Sequence, residues 1–101
     1  MPVEEPADPW PTIFADELRK WQAKSYDDLR AALQGVIEGR DCCVNYEREE
    51  PGGTYHVEVQ PLESLPEYLH VFVSVSEPTG SRSLSYDFIR HADGRLEGKD
   101  V

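Results

Sequence analysis

Cysteine is nearly absent from this chain. Of 101 residues only Cys42 and Cys43 carry a thiol, and they are neighbours. A secreted scaffold stapled by disulfides uses more cysteines, spaced apart. Adjacent side chains on a strand point to opposite faces, so a bridge between these two would distort one. The pair therefore reads as reduced thiols, and the expected location is cytoplasmic. Positive charge is scarce too: ten Lys and Arg stand against twenty Asp and Glu, a net charge of −10. The excess acid is spread over both halves of the chain, so the folded body itself is negative. Such a field repels nucleic-acid phosphates and anionic lipid headgroups, and favours solubility or a basic partner. Long apolar runs are missing as well. None approaches the ~20 residues of a membrane span, and the acidic, proline-rich start has no basic-then-apolar order of a signal peptide. The expectation is no nucleic acid and no membrane.

The sequence also lacks the common chemical motifs. There is no H-x-x-x-H or C-x-x-C for a metal, no G-x-S-x-G for a nucleophile, and no G-x-x-x-x-G-K for a phosphate. No cofactor and no metal site are expected.

What remains is an ordinary globular composition, 39% hydrophobic and 30% charged, which places the chain outside the disordered class. Pro2, Pro6, Pro9 and Pro11 mark residues 1–11 as an extended lead-in, because proline fixes φ and removes a donor. Residues 12–101 then form a single domain. A first helix is expected over Thr12–Lys24, with Thr12 as N-cap, Asp16 and Glu17 early in the dipole, and Phe14, Leu18 and Trp21 as its buried stripe. Ser25 to Asp28 reads as a capping box opening a second helix over 25–35, with Gly35 as its C-cap.

After Arg40 the hydrophobic period switches from helical to two. Val44 and Tyr46, then Tyr55, Val57 and Val59, then Leu69 to Val75, then Leu84, Tyr86 and Phe88 give four alternating segments. Pro51-Gly52-Gly53 and Glu77-Pro78-Thr79-Gly80 are turns, and Pro61–Pro66 interrupts the pattern. Residues 95–97 form either a short last strand or a frayed end. Four strands joined by hairpins make an antiparallel meander with one apolar face that needs a lid. The fold class is thus α+β: two N-terminal helices packed on one face of a four-stranded antiparallel meander sheet. This order resembles cystatin-like architectures at the level of fold, a likeness that carries no activity.

The face away from the helices is where function is expected. With minimal hairpins its rows would read Cys43, Gln60, His70, Ile89; then Asn45, Glu58, Phe72, Asp87; then Glu47, His56, Ser74, Ser85. Glu58 and Asp87 would flank Phe72, and two carboxylates in unlike environments suit acid–base chemistry as well as a solvated acidic surface. His56 and His70 would stand roughly 13 Å apart at ~3.3 Å per residue, too far for one zinc. Phe72 and Ile89 would be diagonal neighbours, covered by the N-terminal segment with Trp10 or by another chain. The candidate binding residues are Asn45, Glu58, His70, Phe72, Asp87 and Ile89. The leading expectation is a non-catalytic protein-binding domain, of the inhibitor or immunity type, that docks a basic protein. The alternatives are a small enzyme or ligand-binding domain using Asn45, Glu58, His70 and Asp87, and a structural homodimer through Phe72 and Ile89.

Overall fold

The computed structural model describes residues 9–98. Three helices precede one sheet: α1 (Trp10–Gln22), α2 (Tyr26–Ala32), α3 (Gln34–Ile37), then β1 (Val44–Glu50), β2 (Gly53–Ser64), β3 (Tyr68–Ser76), β4 (Ser83–His91) and β5 (Leu96–Glu97). The sheet is an antiparallel meander in the order β1-β2-β3-β4-β5. The class is α+β, with five strands rather than four, because residues 96–97 pair with Ile89 and Arg90.

Helix α1 begins two residues before the expected Thr12. Pro9 is its N-cap and Pro11 lies in its first turn, where a missing N–H costs nothing because that donor has no helical partner anyway. Trp10 and Pro11 are therefore helical. The rest of the proposed lead-in, up to Asp8, lies outside the described residues. Asp16 and Glu17 consequently fall in mid-helix rather than in the first turn. Ser25 caps α2 as its spacing suggested, its Oγ accepting the Asp28 backbone N–H at 3.1 Å. The second helix is split in two at Leu33, whose φ of −104° and ψ of 9° leave the helical region. Gly35 is inside α3 and is not a cap. A side chain there would collide with the Asp41 carboxylate, whereas Gly39, at φ 78°, follows the helix end in the left-handed region.

The core lies between the layers. Val57, Val59, Leu69, Val71, Val73 and Val75 present fully buried side chains to Leu18, Leu29 and Leu33. Each such side chain is worth roughly 1.5–3 kcal/mol relative to exposure. Trp10 enters this core too. Its Nε1–H donates to Val75 O at 3.0 Å, and the Arg82 guanidinium lies 4.6 Å over its ring. Glu77 grips that guanidinium with both carboxylate oxygens at 2.8 Å, which holds its carboxyl at about 2. Trp10 therefore seals the helix side of the sheet and does not cover Phe72.

The stretch around Pro61 does not end β2. The strand continues to Ser64 through a bulge between Pro61 and Glu63, which leaves Leu62 without a partner. A bulge is where a strand can tolerate proline. The hairpin then closes at Leu65 and Tyr68, whose backbones exchange hydrogen bonds of 2.9 and 3.3 Å. This extension moves the β2–β3 register by two residues from the minimal-hairpin expectation.

Candidate functional site

The alternation of the strands decides which side chains share the open face. On β3 the residues Leu69, Val71, Val73 and Val75 are buried against the helices, so His70 and Phe72 stand on the reverse side. Pairing carries that side to Asn45, Glu58, Asp87 and Ile89, so all six candidate residues lie on one face.

Their grouping differs from the expected rows. Glu58 is opposite Asn45 on one side and Ser74 on the other, while Phe72 is opposite Gln60 and Asp87. The β2 extension thus removes Glu58 from the row of Asp87, and the two carboxylates do not flank Phe72. Asp87 has a different partner: His70 Nε2 lies 2.6 Å from its Oδ2, diagonally across β3 and β4. Ile89 stands opposite His70 and Glu97. Phe72 and Ile89 remain diagonal neighbours, both half-buried.

Every histidine on this face has a carboxylate on an adjacent strand. His56 Nδ1 is 4.0 Å from Glu47 Oε1, and His91 Nε2 is 3.5 Å from Glu97 Oε1. Glu63 accepts a hydrogen bond from the Tyr68 hydroxyl, which raises that phenol above its ordinary range. The same face carries no lysine or arginine among the described strand residues. Arg48 and Arg90 occupy helix-facing positions, and both bond to α1. Arg82 and Arg95 lie in turns, held by Glu77 and Asp93. Arg19, Lys20, Lys24, Arg30 and Arg40 belong to the helical layer. The described cations lie on the helix side and in the turns, where they share the surface with further carboxylates, while Glu47, Glu49, Glu58, Glu63, Asp87 and Glu97 face out from the sheet with no Lys or Arg among the described residues beside them. Among the described residues no three His, Cys, Asp or Glu side chains are grouped to hold a metal ion.

Sequence reasoning missed Glu17. Its side chain is fully buried in the middle of the apolar stripe of α1. Tyr46 donates to Oε1 at 2.5 Å, and Arg48 and Lys20 both donate to Oε2 at 2.8 Å. Burial alone would push this carboxyl up, but those three donors outweigh it and hold it below the usual range. The Tyr46 phenol, half-buried and donating to Glu17, is pushed up to about 12. Trp21 Nε1 completes the group by donating to Tyr46 Oη at 3.0 Å. With every partner satisfied, the cluster clamps β1 to α1. The signal was in the sequence: Trp10, Ile13, Phe14, Leu18 and Trp21 define one stripe, and Glu17 is the acid inside it.

The His70–Asp87 contact orients an imidazole between Glu63 and Ile89 on the neighbouring strands, with Phe72 and Tyr68 on either side of it along β3 and the Tyr68 hydroxyl donating to Glu63. The chain matches no protein-family profile, no curated protein and no solved structure. No described helix is long and apolar enough to cross a membrane.

Proposed function

We propose that the chain is a non-catalytic binding protein whose open sheet face docks a basic protein partner. The observation that carries this reading is the sorting of the described cations away from the open face of the sheet. A net −10 spread evenly would serve solubility alone. A face that carries carboxylates and no Lys or Arg among the described residues, centred on the half-buried Phe72 and Ile89, has in addition the make-up of a binding patch: an apolar centre within a charged surround. Complementary charge speeds encounter and makes association sensitive to salt.

The test is differential capture. Wild type and the Glu58→Lys/Asp87→Lys variant are immobilised side by side, and the proteins retained by the first and lost by the second are identified. The reading requires these to be basic and to elute with salt. A set that is acidic, or that ignores both salt and charge reversal, contradicts it.

A further inference from the structure

Cys42 and Cys43 do not lie on a strand. They precede β1, which starts at Val44, and the expected separation of their side chains to opposite faces does not apply. Their Sγ atoms are 3.6 Å apart. Cys42 is exposed and Cys43 partly so, which makes both reachable from solvent. The second sulfur is held in place: Asn45 Nδ2 donates to Cys43 Sγ at 3.4 Å, and Glu58, opposite Asn45 on β2, is near enough to help raise its thiol. Two adjacent thiols in contact, one open and one positioned, form a dithiol rather than two isolated cysteines.

We propose that Cys42 and Cys43 are a redox site that closes to an intramolecular disulfide on reaction with a hydroperoxide. Cys42, the more exposed, is the attacking sulfur. Its thiolate takes the distal peroxide oxygen, the O–O bond breaks, and the departing alkoxide leaves as alcohol with the proton that the thiol gave up. Cys42 is then a sulfenic acid. Cys43 attacks Cys42 Sγ, the S–O bond breaks, and the hydroxide leaves as water with the Cys43 proton. Two thiols thus supply the two electrons that reduce one peroxide to alcohol and water.

The assignment of roles follows from the surroundings. The Asn45 amide favours the Cys43 thiolate, but the neighbouring Cys42 thiol, burial and Glu58 outweigh it and raise the Cys43 thiol above its ordinary range. A thiol held protonated attacks peroxide slowly, which leaves that step to Cys42 and the resolving step to Cys43. Closure must shorten 3.6 Å to about 2.05 Å, a movement of side-chain torsions and local backbone ahead of the first strand hydrogen bond.

The experiment treats the reduced, folded full chain with hydrogen peroxide, quenches it, digests it with trypsin and weighs the peptide running from Asp41 to Arg48, which holds both thiols. The proposal expects a peptide lighter by two hydrogens, from protein that stays monomeric on a non-reducing gel and recovers both thiols with dithiothreitol. Cys42→Ser should leave Cys43 largely unmodified at the same dose, and Cys43→Ser should trap added oxygen on Cys42. Oxygen additions to the wild-type peptide without loss of hydrogen, disulfide-linked dimers, or no change at all would each overturn the proposal.

Discussion

Phe72 stands directly opposite Asp87 across the β3–β4 pairing, with Leu69 on the same strand turned to the other side of the sheet. Leu69 and Phe72 therefore do different work. Leu69→Ala opens a cavity in the buried layer and should cost about 2–5 kcal/mol. Phe72→Ala removes a ring that is only partly buried and should cost less than Leu69→Ala, while weakening capture of the proposed basic partner. Urea unfolding of both variants checks this. Equal losses would mean that Phe72 belongs to the core.

The buried Glu17 cluster makes a second prediction. Arg48→Leu leaves a fully buried carboxylate short of one cation and should cost roughly 3 kcal/mol. Adding Glu17→Leu removes the stranded charge and should recover much of that loss. A double-mutant cycle in urea measures the coupling. If the single change is neutral, the clamp between β1 and α1 contributes nothing.

Acid should expose the same group. The folded carboxyl of Glu17 sits below its unfolded value of about 4.3, so its contribution is present above that pH and is lost as the pH falls through the lower folded value. Glu17→Gln should flatten the wild-type fall in stability over that window. A parallel fall in both proteins would assign the acid sensitivity to other carboxylates.

Alkali acts on Tyr46 with the opposite sense. Its folded pKa of about 12 lies above the unfolded value near 10, so the stabilisation is complete below pH 10 and is lost as the pH rises toward 12. The phenolate absorbance of wild type minus that of Tyr46→Phe should show one tyrosine titrating near 12. A difference curve centred near 10 would place the phenol in solvent.

The two glycines of the β1–β2 turn should respond differently to alanine. Gly53 has φ 137°, and a Cβ there would sit 2.8 Å from the Pro78 ring. Gly52 has open space around it and no positive φ. Gly53→Ala should cost about 1–3 kcal/mol, and Gly52→Ala should lie within about 1 kcal/mol of wild type, as judged by thermal unfolding. Equal effects would contradict the turn geometry.

The layers, the faces and the antiparallel pairing were legible in the sequence because period-two alternation is a direct record of which side of a sheet is dry. Register was not legible at one pairing. Pro61 read as a strand end, yet a bulge absorbed it, and the extra length of β2 carried Glu58 from Phe72 to Ser74. No alternation pattern could show that slip, since a shift of two leaves every side chain on its own face. The start of α1 was misplaced for a related reason: a proline counted as a breaker is equally at home in a first turn. Within the candidate site, the common face of Asn45, Glu58, His70, Phe72, Asp87 and Ile89 followed from parity. The His70–Asp87 contact is diagonal, so it depends on side-chain reach, which spacing does not encode. The alternation of β1 extends backward through both cysteines and suggests strand from Cys42, whereas the strand starts two residues later, at Val44.

On the proposed function, a basic chain meets this protein on the sheet surface rather than on the helices. Titrating the isotope-labelled protein with a short oligolysine peptide, and following each backbone amide by NMR, asks this directly. The salt-sensitive shifts should map to β2, β3 and β4 around Glu58, Phe72 and Asp87, and vanish in the Glu58→Lys/Asp87→Lys variant. Shifts centred on α1 and α2, unchanged by that double substitution, would contradict it.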